Sequence, residues 1–417
     1  MKKFLYFLFL SCVVFIACDS DNHELPDVNK NQNVEDKPVD ETPVPYKRLE
    51  FSGSQWAVNQ GASDFALRFL KQLENQSDGN VMVSPLGLHI GLSMVANGAD
   101  EEGRQEILDI LGCSDLRSLN DYYNHIIPVL SEADNQITFK SANSLWTQEG
   151  FTPGEEFLKK LTDTFKADFF PEVLGSEENR RNINIWCSEN TNGMIPEFLK
   201  SPLDSVTTLA LFNALYFNGK WTDVFDPENT YKETYYSVSR KDNIDMMHAT
   251  GKMLCHETEK GIELSLPYGN GTYSFNVLLP NEGISIQDYL SETTGLGVSY
   301  EEREVRLTIP KFSLTVENDN LVPILKELGI SSVFNSSCGL PEIGKGIFLN
   351  QVKQTSTITV DESGAEAAGV SGFYICTASG EESKPLPILD VIINRPFIFS
   401  ITAHNQIVIF AGVVREL

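Results

Sequence analysis

The chain has 417 residues, of which 41% are hydrophobic, and this length and composition suit one large soluble domain or two average ones. Its 58 acidic and 32 basic side chains give a formal net charge of −26 at pH 7. This charge argues against binding to nucleic acid, whose phosphates attract Lys and Arg, and against adsorption to anionic lipid. Solubility is a sufficient explanation of the acidity.

The N-terminus is predicted to be a signal peptide over residues 1–17. Lys2 and Lys3 precede an apolar run, Phe4–Ala17, that is too short for a typical transmembrane helix. The run ends at Cys18, which resembles the acylated first residue of a bacterial lipoprotein. The alternative is an ordinary cleaved secretory signal with an incidental Cys. Lipidation would give two or three acyl chains, which suffice for stable anchoring. We therefore expect an outer-membrane lipoprotein in a secreted context, facing the cell surface or the periplasm.

Residues 18–48 are predicted to form a polar tether, because the stretch contains four prolines and no apolar periodicity. The remaining residues, 49–417, are expected to form the folded domain. Without the signal peptide and Cys18, five scattered cysteines remain. Their odd number and wide spacing indicate neither a disulfide framework nor a CxxC metal site.

Helical patterns dominate the first half of the chain. Apolar residues recur at helical spacing, and Ser84 followed by Pro85 makes a favourable pair of N-cap and first helical residue. The predicted helices are Asp64–Gln76, Pro85 to about Gly98, Glu101 to Gly112, Phe157–Phe165, Glu177–Cys187 and Met194–Leu199.

Strand patterns dominate the second half, where one helix is predicted at Leu321–Leu328, closed by Gly329. Thr207–Phe217 is almost wholly apolar, which predicts a strand buried on both faces. The other predicted strands are Val81–Val83, Ile137–Trp146, Phe275–Leu279, Val305–Ile309, Phe312–Val316, Thr355–Val360, Ile388–Ile393, Phe397–Thr402 and Ile407–Val414. Together these elements predict one α+β domain.

The segment from Thr355 to Gly372 joins a strand pattern to a run of small residues. After the strand, Gly364 leads into Ala365, Glu366, Ala367 and Ala368, and no further charged residue follows until Glu381. Such a segment can be an exposed loop and still fit between two strands of a sheet. The alternative is a flexible surface loop rich in Ala and Gly.

The order Glu362-x-Gly364-Ala365-Glu366-Ala367-Ala368 resembles the proximal hinge of a serpin, which precedes the reactive loop. Further serpin-like motifs occur in order along about residues 55–417. They are residues 80–85, 213–221, 246–247, 309–312, 328–330, 394–399 and 410–414. The resemblance implies the α+β serpin fold, in which helices pack around a large central mixed sheet with two smaller sheets and an exposed reactive loop.

The resemblance also implies a suicide-type inhibitor of serine proteases. A protease would cut the loop, and the cut loop would enter the central sheet as an extra strand before the acyl-enzyme hydrolyses. A strand of about fifteen residues spans on the order of 50 Å, which carries the protease across the molecule and distorts its catalytic site. The alternative is a non-inhibitory serpin that acts as a protease substrate or binding module. Gly369 and Gly372 keep this alternative open, because glycine weakens strand insertion.

Residue by residue, the resemblance assigns roles around the hinge. The hinge residues are Glu362, Gly364, Ala365, Glu366, Ala367 and Ala368. Trp221 and Lys311 match the place where the loop first enters the sheet, and Lys311 can pair there with Glu362. The alternative is a core Trp and an ordinary surface ion pair.

A polar cluster that closes the sheet lower down is matched by Ser84, Asn213 and Gln354. The family often has His at the position of Gln354. Because Gln forms hydrogen bonds but does not titrate near neutrality, opening of the sheet is expected to be less sensitive to pH.

The reactive bond is placed by counting sixteen residues beyond Glu362, as in the family, which gives Ala378–Ser379. Ala at that site suits elastase-like or subtilisin-like proteases. The stretch from Ala378 to Pro396 is several residues longer than usual, so cuts after Tyr374, Cys376 and Thr377 remain alternatives.

The expected partners are serine proteases, with cysteine proteases as a further option. We expect a monomer that needs no cofactor or metal, binds no nucleic acid and meets the membrane only through its lipid anchor. The sequence contains no HExxH, GxSxG, Walker or GxGxxG motif, so no enzymatic activity is predicted.

Overall fold

Eight α-helices and fifteen β-strands occur in the computed structural model, which describes residues 43–297, 301–335, 339–365 and 387–417. The helices are α1 (Gly53–Asn75), α2 (Pro85–Ala96), α3 (Glu101–Ile110), α4 (Leu116–Glu132), α5 (Glu155–Phe165), α6 (Glu177–Asn190), α7 (Ile286–Glu292) and α8 (Val322–Leu328). Two short 3-10 helices lie at Pro227–Asn229 and Ser332–Phe334. The predicted signal peptide, Cys18 and the tether up to residue 42 lie outside the described residues.

Most predicted helices are confirmed, with four differences. Helix α1 begins eleven residues before the predicted start, because Ser52 and Gln55 form a reciprocal capping box there. Helix α4, which contains Pro128, and the short helix α7 were not predicted. The helix predicted at Met194–Leu199 is wrong: the amides of Phe198 and Leu199 donate to Asn184 Oδ1 at 3.1 and 2.7 Å instead of to a helical turn.

The strands form three sheets among the described residues. They are β1 (Val81–Val83), β2 (Ile137–Gln148), β3 (Asp168–Glu172), β4 (Leu209–Lys220), β5 (Thr230–Tyr236), β6 (Lys241–Glu257), β7 (Gly261–Tyr268), β8 (Tyr273–Pro280), β9 (Glu301–Pro310), β10 (Phe312–Asn318), β11 (Gln354–Val360), β12 (Gly364–Ala365), β13 (Leu389–Ile392), β14 (Phe397–Ala403) and β15 (Ile407–Val414). The nine-stranded sheet has the order β1-β15-β14-β8-β7-β6-β9-β13, with β5 paired to β6. A four-stranded sheet has the order β12-β4-β2-β3, and β10 pairs with β11.

The core lies where helices cover the nine-stranded sheet. Every residue of β8, β14 and β15 is buried, and α1 and α2 both pack against β15. Large aromatic side chains such as Phe65, Phe69 and Phe399 are completely buried in this core. In the nine-stranded sheet β13 runs parallel to β9, and in the four-stranded sheet β3 runs parallel to β2, so both sheets are mixed. The predicted α+β class is confirmed.

Strand β4 differs from its prediction as a strand buried on both faces. Its residues from Leu209 to Asn213 are only half-buried, and burial becomes common only from Ala214 onward. Strand β4 pairs with β2 along its length, but among the described residues only β12 pairs with its other side, at Gly219 and Lys220. The missing neighbour along the rest of that side explains the partial exposure.

Candidate functional site

A crevice separates β4 from β11. Almost all Cα–Cα distances between these two strands exceed 8 Å, whereas directly opposite residues of paired antiparallel strands lie about 4.5–5.5 Å apart. In the part of the chain that the structure describes, β11 pairs only with β10, and β4 pairs only with β2 and the two residues of β12. Each strand therefore presents one edge to the crevice without a strand partner over most of its length.

Side chains from five parts of the fold fill this crevice and leave a cavity of about 30 Å³. The cavity is lined by Leu215–Phe217 of β4, Thr355–Thr359 of β11, Ile401, Phe410 and the segment after α6 at Thr191, Met194 and Ile195. The hydroxyl of Ser356 is buried there without a hydrogen-bond partner. The remaining space suits a water molecule but not a strand, so a strand enters only after these side chains move.

The first two small hinge residues already lie at one end of the crevice. Gly364 and Ala365 form β12, which pairs antiparallel with Gly219 and Lys220 of β4. Gly364 has φ of 140°, and a Cβ atom added there would lie 2.2 Å from the carbonyl oxygen of Gly219. Only glycine fits this close approach. The hinge therefore begins as a strand next to β4.

Trp221 holds the turn that precedes this strand. Its side chain is buried, stacks on Tyr268 with ring centroids 4.4 Å apart, and donates from Nε1 to the carbonyl oxygen of Asp361 at 2.8 Å. Its backbone amide donates to the carbonyl oxygen of Ser363 at 3.0 Å. Trp221 is thus a core residue and also a direct contact of the hinge, so both interpretations of the sequence apply to it.

Lys311 and Glu362 form an ion pair beside the same turn. Lys311 Nζ donates to Glu362 Oε2 at 2.6 Å, with side chains 43% and 13% exposed. Burial is the largest single effect and would raise the pKa of Glu362, but the hydrogen bonds that Glu362 accepts, led by that from Lys311, and the charge of Lys311 together hold that pKa below its usual value. The backbone amide of Phe225 donates to the carbonyl oxygen of Glu362 at 3.0 Å, which fixes the turn further.

Hydrogen bonds join two of the three residues assigned to the closing cluster, and the third, Asn213, lies beside Gly87, as Ser84 does. The amide of Ser84 donates to Gln354 Oε1 at 2.7 Å, and Gln354 Nε2 donates to the carbonyl oxygen of Ser84 at 3.0 Å. Asn213 is not bonded to either of them. Its Nδ2 donates instead to Asn143 Oδ1 on β2 at 2.8 Å, because cross-strand register places these two residues opposite each other.

Sequence reasoning missed Tyr268, Asp361 and Asn143 as parts of this site. Each contacts a residue that is distant in the chain, and no local pattern marks it. The other assigned site residues lie outside the described residues: the reactive bond Ala378–Ser379, the alternatives Tyr374, Cys376 and Thr377, the hinge residues Glu366, Ala367 and Ala368, and Cys18.

No helix in the described ranges has the length and apolarity needed to cross a membrane. No group of three or more His, Cys, Asp or Glu side chains among the described residues is arranged to hold a metal ion.

Comparison with known proteins gives a consistent family. The family model Serpin (serine protease inhibitor) matches residues 60–417. Iripin-5 of Ixodes ricinus is 30% identical over 384 residues, which cover 85% of this chain and 93% of the relative. The native state of the thermophilic serpin tengpin is similar in structure, with a TM-score of 0.77 and 27% identity, over 90% of this chain and 97% of that chain.

A more distant likeness shows the fold alone. Human thyroxine-binding globulin complexed with thyroxine has a TM-score of 0.76 and 19% identity, over 87% of this chain and 99% of that chain. Together with the helices and mixed sheets described above, these matches confirm the predicted fold.

Proposed function

The chain belongs to the serpin family of serine protease inhibitors, and we propose that it is a suicide-type inhibitor that inserts its cut reactive loop between β4 and β11. The observation that carries this proposal is the crevice whose end is already occupied by Gly364 and Ala365. In the sequence, the small residues Ala367, Ala368 and Gly369 follow closely after this short strand, so a cut beyond the hinge would free the chain to continue along the crevice.

Backbone hydrogen bonding on both sides of the crevice favours insertion of the cut loop. Strand β4 has twelve residues and β11 has seven, and each presents one edge to the crevice. An inserted strand would gain roughly ten hydrogen bonds, each worth about 0.5–1.5 kcal/mol net, and burial of its inward-facing side chains would add to this gain against a cost of about 1–2 kcal/mol for ordering each residue. A strand that is hydrogen-bonded on both edges leaves the sheet only when these bonds break together, which supports trapping rather than simple binding.

The target class follows from the residue before the cut bond. With Ala378 at that position, elastase-like and subtilisin-like serine proteases fit best, and cysteine proteases are a further class to assay. We propose that the inhibitor acts as a monomer, held at the outer membrane through lipidated Cys18. Acylation of Cys18 is tested by mass spectrometry of the N-terminal peptide from the native membrane fraction.

A substrate-like or ligand-binding serpin is the second candidate. Thyroxine-binding globulin, a protein of the same fold, is complexed with a small ligand. Gly369 and Gly372 in the loop weaken strand propensity and thereby slow insertion. If insertion is slower than hydrolysis of the acyl-enzyme, the chain is cleaved without trapping.

The decisive experiment mixes the chain lacking residues 1–18 with pancreatic elastase, neutrophil elastase and subtilisin, followed by denaturing gels and intact-mass analysis. We expect a complex that survives denaturant and a released C-terminal peptide that begins at Ser379. Clean cleavage without a complex by all three proteases contradicts inhibition of these classes.

Two variants test protease recognition and loop insertion separately. Ala378→Arg is expected to form the complex with trypsin instead of elastase, because only the recognised residue changes. Ala367→Arg places a long charged side chain in the hinge, where alternation points it inward on insertion. We expect cleavage of this variant without a complex; a stable complex with it would contradict trapping by insertion.

A further inference from the structure

Residues 43–51, here called the strap, lie against the folded domain before α1 begins. At its C-terminal end the strap packs Leu49 and Phe51 against the hydrophobic core, and the Phe51 ring lies 5.9 Å from that of Tyr122. The carbonyl oxygen of Glu50 is within 3.1 Å of His125 Nε2. The strap has no helix or strand of its own, so side chains of the domain supply the contacts that hold it.

At its N-terminal end the strap contacts the turn of residues 269–272, which joins β7 to β8. Asn270 Nδ2 donates to the carbonyl oxygen of Val44 at 2.9 Å and also to that of Ala133 at 2.9 Å. The ring of Tyr46 lies 5.7 Å from that of His404. The amide of Asn270 donates to Asp134 Oδ2 at 2.7 Å, so this turn is fixed from several sides.

The same turn is bonded to the residues that flank Trp221. The amide of Gly269 donates to the carbonyl oxygen of Lys220 at 2.8 Å, and Thr222 Oγ1 donates to the carbonyl oxygen of Gly269 at 2.8 Å. Tyr268, directly before the turn, stacks on Trp221. Since Trp221 in turn binds Asp361 and Ser363, a continuous series of contacts connects the strap to the hinge.

From this arrangement we propose that the strap restrains the hinge. While docked, it holds the 269–272 turn against Lys220 and Thr222, which keeps Trp221 on the hinge turn. When the strap is released, the turn and the end of β4 open more often. A docked segment shifts such an equilibrium only by the contacts it makes in the closed state, and here those contacts involve Val44 and Tyr46.

The consequence for protease trapping rests on the proposed function, whereas the restraint itself does not. The strap directly follows the predicted tether, so a pull on the tether or a cut near it acts first on Val44 and Tyr46. Easier opening at the hinge would then favour insertion, including insertion of an uncut loop, and would lower the lifetime of the active form.

Hydrogen exchange measured by mass spectrometry tests the restraint without any protease. The reference protein is the chain beginning at Asp19. The first variant lacks residues 43–46, which removes the contacts to Asn270 and His404 but keeps Leu49 and Phe51. The second is Asn270→Asp, whose carboxylate cannot donate to the carbonyl oxygens of Val44 and Ala133. Asn281→Asp is the matched control, since Asn281 donates to Glu259 in an exposed turn away from the strap.

We expect exchange in the peptide 219–226 to become at least about fivefold faster in both variants and to stay unchanged in the control. The peptide 85–96 of α2 should exchange at the reference rate and thereby show that the fold is intact. The proposal is overturned if the peptide 219–226 keeps its reference rate in the variant that lacks residues 43–46, or if only the peptide 268–273 changes. Because no protease is involved, these outcomes are independent of whether the chain inhibits one.

Discussion

Gln354 holds Ser84 through both backbone polar groups: Ser84 N donates to Oε1 at 2.7 Å, and Nε2 donates to the carbonyl oxygen of Ser84 at 3.0 Å. Ser84 is the N-cap of α2, and its hydroxyl donates to the carbonyl oxygen of Ile409 at 2.7 Å. One neutral side chain therefore fixes the start of β11 to the start of α2 and to β15.

The first prediction concerns the pH dependence of sheet opening. Between about pH 5 and 8 we expect a constant rate of uptake of a synthetic peptide matching residues 364–377, because Gln354 does not titrate. Gln354→His should make uptake faster as the pH falls through about 6.5, since a protonated imidazole cannot accept the Ser84 amide. Uptake is measured by native gel electrophoresis. Gln351→His, at an exposed position, is the control, and equal pH dependence in both variants would refute the role of position 354.

The second prediction concerns the Lys311–Glu362 ion pair. In a double-mutant cycle with Lys311→Gln and Glu362→Gln, we expect a coupling free energy of at most about 1 kcal/mol at pH 7, because Lys311 is half-exposed. The pKa of Glu362 is lowered in the folded state, so this stabilisation is present above the unfolded pKa and is lost as pH falls through the folded pKa. Urea unfolding at pH 7 and pH 3 measures it.

The more exposed pair Lys252–Glu302, at 3.0 Å, is the matched control for that cycle. We expect its coupling to be smaller than that of Lys311–Glu362. A coupling at pH 3 as large as that at pH 7 would contradict the assignment to an ionised Glu362.

The third prediction concerns Gly364. Gly364→Ala should detach β12 from β4, because the added Cβ would meet the Gly219 carbonyl oxygen at 2.2 Å and Lys220 Cα at 2.8 Å. Gly150→Ala is the matched control: Gly150 also has positive φ, but a Cβ there meets nothing within 4 Å. Gly150→Ala should therefore be destabilised only by the backbone strain at positive φ, which is roughly 1–2 kcal/mol. Exchange of the Trp221 and Phe225 amides should accelerate in Gly364→Ala alone.

The fourth prediction concerns acid stability and His89. Burial lowers the pKa of His89 to about 4, and its ring lies among Phe65 and Tyr123. Below pH 6.5 the unfolded chain binds a proton that folded His89 does not, so stability is full above pH 6.5 and falls towards pH 4. The loss over this range is about 3 kcal/mol. Burial also lowers the pKa of His404, which adds to the loss.

Urea unfolding between pH 7 and 4.5 measures this loss, with His89→Gln and, as its control, the exposed His256→Gln. The slope of unfolding free energy against pH should become shallower in His89→Gln only. Equal slopes in His89→Gln and the unmutated chain would show that another group causes the acid sensitivity. Because Gln354 does not titrate in this range whereas the unfolded-state His89 does, we expect pH-independent peptide uptake and pH-dependent unfolding in the same protein.

Local sequence was sufficient where a single segment sets the structure. The N-cap at Ser84, the closing Gly329 and the alternation in Thr355–Val360 each predicted an element that the structure contains. It was misleading at Met194–Leu199, where Asn184, ten or more residues earlier, takes the amides that a helix would use. Helix α4 escaped prediction, and it contains Pro128, a residue that normally ends a helix.

Sequence motifs predicted only part of the candidate site. Motifs identified Trp221, Lys311 and Glu362, but not the partners Tyr268 and Asp361 that make Trp221 a hinge contact. The separation of β4 from β11 has no signature in either strand, because it depends on how two segments more than 130 residues apart are positioned. Asn213 illustrates the same limit: its motif indicated the closing cluster but gave no sign that cross-strand register would also pair it with Asn143.

The crevice between β4 and β11 also sets the stoichiometry of the proposed inhibitor. It offers one place for one strand, and a filled crevice with roughly ten new hydrogen bonds would not empty again on a biological timescale. Each molecule would therefore be consumed by one protease, or wasted by one unproductive cut. The amount of protease that can be inhibited would therefore depend on the number of inhibitor molecules made. The rate of synthesis of new inhibitor, rather than its affinity for the protease, would limit inhibition.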